Sequence, residues 1–180
     1  MSFGNQMTEV ELDKSPTTLI IGENGAGKST LLDAICYALY SKSFRNVSSP
    51  SMINSINNKD CVTEVDFRVG TKNYTVNRRM KPGGFTMWCD GERILAGSSH
   101  REHQAILEDK ILKMRFTTFK QVVLLGSANH MPFMMLPTHQ RRQIVEDLLD
   151  IQVFGIMNDL LRVRSSENRS SIQDTNHNKE

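Results

Sequence analysis

Nine consecutive residues, Gly22-Glu23-Asn24-Gly25-Ala26-Gly27-Lys28-Ser29-Thr30, fit the pattern G-x-x-x-x-G-K-[ST] in full. Glycines let the backbone curl so that successive N–H groups face inward onto oxyanions, and a helix starting at the lysine adds the positive end of its dipole. A polyphosphate is the ligand such a loop suits. With a nucleoside triphosphate bound, Lys28 reaches the β- and γ-phosphates and offsets charge as the bond to the γ-phosphate breaks. Ser29 offers a hydroxyl ligand to Mg²⁺, and Thr30 a donor to the α-phosphate. The expected ligand is therefore ATP with Mg²⁺, held by Asn24, Gly25, Ala26, Gly27, Lys28, Ser29 and Thr30.

Such a loop works only between a strand that delivers it and a helix that leaves it. Leu19-Ile20-Ile21 reads as a buried strand ahead of it, paired in character with a second apolar run, Met7 to Leu12, beyond the turn composition Asp13-Lys14-Ser15-Pro16. After the loop, Leu31, Leu32, Ile35, Cys36 and Leu39 recur at three- and four-residue spacing, which predicts an amphipathic helix ending near Ser41. Residues 44–59 turn to Ser, Asn and Pro, a loop anchored by Met52-Ile53 and Ile56. Thr63, Val65, Phe67 and Val69 then alternate with Glu64, Asp66 and Arg68, the pattern of a half-buried strand. Gly70-Thr71, Pro82-Gly83-Gly84 and Asp90-Gly91 punctuate the next stretch, predicting an antiparallel meander of three or four strands. Phe85 and Trp88 fall on opposite faces of one of them, so one belongs to the core.

Beyond the meander, residues 99–114 read as a helix through Ile106, Ile111 and Leu112, and Val122 to Leu125 as a short buried strand. A last helix starts after Pro137 with Thr138 as its N-cap and carries Ile144, Val145, Leu148, Leu149, Val153, Ile156, Leu160 and Val163. Its spacing could open a coiled coil, but the pattern stops at Ser165-Ser166-Glu167-Asn168-Arg169-Ser170-Ser171, and the end through Glu180 reads as frayed. The organisation expected is an α/β lobe over residues 1–150 and the start of a coiled coil or a frayed tail over 151–180.

Composition narrows the class. With 38% hydrophobic and 23% charged residues and a mean hydropathy of -0.39, the chain reads as an ordinary globular protein without a membrane span. Its start, Met1-Ser2-Phe3-Gly4-Asn5, lacks the basic and apolar regions of a secretory signal, and a cytosolic setting is expected. Cys36, Cys61 and Cys89 form no Cys-x-x-Cys pair and read as reduced core or near-core thiols. A net charge of +2 leaves any nucleic-acid contact to local clusters. Arg78, Arg79 and Lys81 are candidates to contact DNA phosphates, or else a charged strand exterior. Arg141 and Arg142 could touch nucleotide, DNA or solvent, while His100 and His103, three apart with no third ligand nearby in sequence, read as a solvated helix face.

The inner residues of the loop, Asn24-Gly25-Ala26-Gly27-Lys28-Ser29-Thr30, resemble those of the ABC and SMC class of ATPases. Ala34-Ile35 to Ala38-Leu39-Tyr40, Met52-Ile53-Asn54, Val65-Asp66-Phe67, Gly70, Tyr74-Thr75-Val76, Arg78-Arg79 and the stretch from Pro137 to Leu149 resemble the DNA repair branch of that class. Over about residues 2–162 the chain is similar to the SbcC-like ATPase subunits of double-strand-break repair nucleases. Phe119 to Gly126 and Pro132-Phe133-Met134 are similar to their T-even-type phage counterparts. The resemblance implies a P-loop NTPase fold, the N-terminal lobe of an ABC-type ATPase head with a mixed sheet and an antiparallel meander. It also implies ATP-dependent DNA end processing with a separate metallonuclease subunit, on double-stranded DNA, in the host cytoplasm if the source is viral.

Family members start with a strand ahead of the segment matching Ser2-Phe3-Gly4, and they carry a C-terminal ATPase lobe with a signature loop, an Asp-Glu pair and a histidine switch. Those motifs are not in this sequence: Leu95-Ala96-Gly97-Ser98-Ser99 lacks the paired glycines, and Ile144-Val145-Glu146-Asp147 is helical in pattern. ATP hydrolysis is therefore expected only with the C-terminal lobe and a second ATPase head supplied. The family's γ-phosphate-sensing glutamine falls by spacing near Ser127, which leaves Gln121 as a candidate for that role and for a second Mg²⁺ ligand, or else an exposed strand-edge residue. Two other classes remain: a self-contained P-loop kinase, which needs a substrate pocket and a basic lid, and a transporter's nucleotide-binding subunit, which needs a signature loop and a membrane-coupling surface.

Overall fold

A computed structural model describes residues 7–45, 47–56, 58–95, 99–124, 131–149 and 151–177. Ser2-Phe3-Gly4, the middle of Leu95–Ser99, Leu125-Gly126 and Ser127 lie outside them. The chain divides into two compact units, Met1–Leu112 and Lys113–Glu180.

In the first unit, helix α1 (Lys28–Tyr40) packs on a four-stranded antiparallel meander of β1 (Cys61–Val69), β2 (Lys72–Met80), β3 (Gly84–Cys89) and β4 (Glu92–Arg93), in the order β1-β2-β3-β4. The strands and turns expected from the alternation are all present. Asp90 and Gly91 both take positive φ (49° and 83°), the backbone a two-residue hairpin requires. Register places Val65 opposite Val76 and Val76 opposite Met87, a cross-strand row whose last two side chains are buried. Phe85 is the core aromatic and Trp88 is half-buried. A short helix α2 (Ser49–Met52) interrupts the loop, and Met52 and Ile53 are buried as expected, whereas Ile56 is exposed and anchors nothing.

Helix α1 ends at Tyr40 as predicted, but of its apolar stripe only Cys36 and Leu39 are buried, and their neighbours are buried with them. Leu31, Leu32 and Ile35 are half-buried, while Cys36, Tyr37, Ala38, Leu39 and Tyr40 are buried in succession. Five successive positions at 100° each cover every direction around a helix, so this end is enclosed on all sides. Enclosure creates a polar demand, because the last carbonyls of a helix have no partner within it. Arg78 and Gln104 meet that demand. Arg78 Nε donates to the Ala38 carbonyl (3.0 Å) and Nη2 to Gln104 Oε1 (2.6 Å), and Gln104 Nε2 donates to the Leu39 carbonyl (3.0 Å) and Glu108 Oε1 (2.6 Å). The guanidinium lies 3.8 Å from the Phe85 ring centroid and 5.9 Å from that of Tyr37. Arg78 is thus 6% exposed and spent on the core, which removes it from the DNA-contact candidates.

Gln104 belongs to helix α3 (His100–Ala105), which runs on as a π-helix over Ile106–Leu112, within the helical span expected. Residues 7–21 differ from expectation. Neither Met7–Leu12 nor Thr17–Ile21 is a strand, and Leu19 and Ile21 are 80% and 83% exposed. A buried strand needs neighbours for its backbone groups, and the strands of the described residues pair only among themselves. The described sheet is accordingly antiparallel throughout rather than mixed.

The second unit is helical. Helix α4 (Phe116–Val122) takes in the first residue of the strand expected over Val122–Leu125; Val123 and Leu124 form no strand, Val122 and Val123 are exposed while Leu124 is buried, and Leu125 lies outside the described residues. Helix α5 (Thr138–Leu148) packs on α4 through Asp147, whose Oδ2 accepts from Thr118 Oγ1 (2.5 Å) and from the Arg115 amide (3.4 Å) at the start of α4. Pro137, not Thr138, is the N-cap of α5, and Thr138 is its first helical residue. Helix α6 (Gln152–His177) continues through the Ser/Asn stretch expected to end it, since nothing there forbids helix: no proline occurs and its one glycine is Gly155. No helix among the described residues is long and apolar enough to cross a membrane.

The α1 cap predicts a stability difference between adjacent arginines. Arg78→Leu, which leaves the Ala38 and Gln104 oxygens without their donor, should lower unfolding free energy in urea by about 2–4 kcal/mol. Arg79→Ala should change it by less than about 0.5 kcal/mol, as typical of surface positions. Equal midpoints for the two variants, followed by Trp88 fluorescence, would contradict the assignment.

Candidate phosphate-binding site

The loop ahead of α1 folds back on itself. The Ala26 amide donates to the Glu23 carbonyl (3.2 Å), and the loop closes tightly enough that a Cβ on Gly22 would stand 3.3 Å from that of Ala26. Gly25 and Gly27 take φ of 89° and 101°, a region that strains any residue with a Cβ, so glycine is required at both. Gly27 is the N-cap of α1, and its carbonyl accepts the first helical bonds, from Thr30 (2.9 Å) and Leu31 (3.2 Å). No side chain caps that end and no acidic residue lies in the first turn. The first amides of α1 thus meet solvent at the positive end of the helix dipole.

Lys28 opens the helix and bends back over the loop, where Nζ donates to the Gly22 carbonyl (2.5 Å) and the Glu23 carbonyl (2.8 Å). An ammonium carries three donors, so the loop orients the group while leaving it one to give. Ser29 is exposed beside it and Thr30 is buried. Asn24, Gly25, Ala26 and Ser29 are exposed and Gly27 and Lys28 half-buried, so this short stretch offers solvent N–H groups, one cation and one hydroxyl. That set suits a polyphosphate with its metal ion: donors and positive charge for the anion, a hydroxyl oxygen for the cation.

Asp33 is a contributor the motif does not reveal. It sits on α1 one turn beyond Ser29 and is 1% exposed. Its carboxylate accepts from Ser43 Oγ (2.7 Å), the Arg45 amide (3.3 Å) and Arg45 Nε (2.6 Å), and so ties the segment after α1 back onto the helix. An aspartate in the middle of an otherwise apolar helix was the available signal.

The other candidates have the following local settings. Gln121 lies on α4 in the second unit, where its amide donates to the Met131 carbonyl (3.0 Å). Arg141 donates to Thr138 Oγ1 (3.3 Å), and Arg142 pairs with Glu146 one turn on (2.8 Å). His103 Nδ1 is 3.1 Å from the Ser99 carbonyl, and its ring meets that of Phe85 edge-on at 5.8 Å. No group of three or more His, Cys, Asp or Glu side chains able to hold a metal occurs among the described residues. The three cysteines are free, with Cys36 buried and the others half-buried.

Comparison with known proteins adds the family. A protein-family profile described as "AAA domain" matches residues 1–176. The chain is 40% identical over 160 residues to exonuclease subunit 2 of Enterobacteria phage T4, covering 89% of this chain and 28% of that protein. It is 39% identical over 176 residues to exonuclease subunit 2 of Escherichia phage RB69, covering 98% and 30% respectively. It is 25% identical over 165 residues to a subunit of the nuclease SbcCD from Vibrio cholerae, covering 81% and 16%. The chain thus spans under a third of the length of these relatives. With the profile matched almost end to end and a glycine loop opening onto a lysine-headed helix, the chain belongs to the AAA domain family.

Proposed function

We propose that this chain is the ATP-binding N-terminal half of a DNA repair and recombination ATPase that works with a partner metallonuclease in processing double-strand breaks. One observation carries the reading: Lys28 and Ser29 stand at an uncapped helix start behind two left-handed glycines, in a chain similar to proteins named as exonuclease and nuclease subunits. ATP is the ligand, held by residues Asn24 to Thr30 and by the Lys28 ammonium, which releases its loop carbonyls to take phosphate oxygens. Ser29 Oγ is the Mg²⁺ ligand of this chain, with Gln121 as a second. When bound, Mg²⁺ neutralises charge on the β- and γ-phosphates.

Residues 1–150 serve as the N-terminal lobe of an ABC-type head and 151–180 as the beginning of a coiled coil. Unpartnered apolar surface supports this: Leu19 and Ile21 beside the loop, and Val153, Phe154, Ile156, Met157, Leu160 and Leu161 along α6, are all exposed. A C-terminal lobe and a returning helix are what such surfaces await. The working assembly contains two heads, the metallonuclease and double-stranded DNA, in the cytoplasm of the cell or of a viral host.

Lys28→Ala should weaken Mg²⁺-ATP binding by about 10- to 100-fold, the worth of a charge-assisted hydrogen bond, with an unchanged circular dichroism spectrum. Unchanged affinity by calorimetry would remove the reading. Hydrolysis should also be split. Phosphoryl transfer needs a group that orients the attacking water, and no strand-end acidic pair is available in this sequence. Phosphate release by the chain alone should stay near background and rise, with a dependence on protein concentration, when the C-terminal lobe is added. Robust turnover by the chain alone, lost in Lys28→Ala, would favour a self-contained kinase-like enzyme instead.

A further inference from the structure

Apart from the glycine loop, the first unit holds a cleft of about 360 Å³, within the range of roughly 300–1,000 Å³ in which single small molecules bind. Arg78, Arg79, Lys81 and His100 line it and, among the described residues, no aspartate or glutamate does. Arg78 has one nitrogen left for a ligand. Its Nε donates to the Ala38 carbonyl and Nη2 to Gln104 Oε1, while Nη1 has no partner among the described residues. No enclosed side-chain nitrogen or oxygen among them lacks a partner, so Nη1 reaches solvent, and the cleft is the concavity that Arg78 lines. Burial pushes the guanidinium down to about 10, with Tyr37 and Glu108 pulling it back up, so it stays charged at neutral pH. Lys81 is exposed and spends one of its three donors on Asn58 Oδ1 (3.4 Å). Arg79 borders the cleft, but its Nε donates to Asn77 Oδ1 (3.1 Å), and strand alternation puts both on the face of β2 opposite Arg78.

The rest of the lining is mainly apolar, with Pro50, Ile53, Met80 and the Tyr37 ring in it. That mixture selects an anion with an apolar or aromatic body. A bare phosphate ion leaves the apolar wall wet, and a neutral apolar molecule strands the open Arg78 and Lys81 donors. A duplex backbone offers phosphates and sugars but no base face. A mononucleotide supplies both parts, acceptor oxygens for the guanidinium and ammonium and a planar base for the wall.

We infer that this cleft binds a free nucleoside monophosphate, with its phosphate on Arg78 Nη1, Lys81 and His100 and its base against Pro50, Ile53 and Met80. The inference rests on the reading of the chain as part of a nuclease assembly and gives the chain a second ligand. Hydrolysis of a phosphodiester adds water across one P–O bond and leaves a phosphomonoester and a hydroxyl. A nucleotide released from a strand end with that phosphomonoester is the ligand the cleft fits. The cleft thus holds a product of the partner's reaction. Because Arg78 also caps α1, the product meets the residue that anchors the helix whose other end carries Lys28.

The test uses the full chain carrying Lys28→Ala, so that the lysine of the glycine loop does not contribute, and calorimetric titration with thymidine 5′-monophosphate, thymidine 3′-monophosphate, thymidine and inorganic phosphate. One of the two monophosphates should bind with one site per chain and move the His100 ring resonances. Thymidine and inorganic phosphate should each bind at least about tenfold more weakly, since each lacks one half of the contacts. Adding Lys81→Ala with His100→Ala should weaken the monophosphate about tenfold or more, as expected for lost contacts to a charged phosphate. Arg79→Ala, whose guanidinium is engaged on the other face of β2, is the control and should change affinity less than about twofold. Inorganic phosphate bound as tightly as the monophosphates makes the cleft an anion site only and overturns the proposal. So does an equal loss in the control, or still His100 resonances in the parent chain at millimolar monophosphate, a readout that needs no cleft variant to fold. A chain that binds Mg²⁺-ATP with Lys28 in place but neither monophosphate sinks this inference alone, whereas failure of that chain to bind ATP sinks the function proposed above.

Discussion

Everything in the first unit hangs on how helix α1 ends. Its N-terminus has to stay open if amides and Lys28 are to face a ligand, so the helix must be held by its other end, and that end is buried on every side. Burying it strands carbonyls that water can no longer reach. Arg78 from β2 and Gln104 from α3 supply the donors, and the arginine also brings a cation to the negative end of the dipole, where α1 has no basic residue of its own. One polar cluster thus joins helix, meander and α3. Replacing its cation removes donors, charge and ring stacking together, which is why a residue so far in sequence from the loop matters to it.

How much of this was legible depended on whether the interaction was local. The glycine loop could be read directly, because left-handed glycines and a lysine at a helix start are requirements of the backbone itself. The meander could be read too, since alternation in β1 and the turn pairs Gly70-Thr71 and Asp90-Gly91 act over a few residues. Arg78 could not. Its charge and its neighbour Arg79 suggested a surface, and only the fold shows that Phe85, the Ala38 carbonyl and the Gln104 side chain surround it. Asp33 was hidden for the same reason, its partners Ser43 and Arg45 lying beyond the end of the helix. Over Val122–Leu125 the adjacent apolar residues suggested a strand, but helix α4 runs into Val122, and Val123 and Leu124 belong to no strand.

The segments that depart furthest from expectation are those whose partners are not among the described residues. Leu19 to Ile21 has the composition of a central strand and the exposure of a surface loop. Helix α6, about 39 Å long at 1.5 Å per residue, carries apolar side chains with nothing to cover them. Single exposed apolar residues need no explanation, yet a row of them along one helix does. Both leave apolar surface open, which is the surface the proposed C-terminal lobe and coiled-coil partner would cover.

The central claim is that amides at the start of α1 receive the phosphates of ATP. Backbone ¹H–¹⁵N resonances of Gly25, Gly27, Lys28 and Ser29, followed while Mg²⁺-ATP is added, test it most directly. The account predicts downfield shifts concentrated on these four amides, saturating with one site per chain. Shifts absent at millimolar nucleotide, or spread over other segments while the loop stays still, would contradict it.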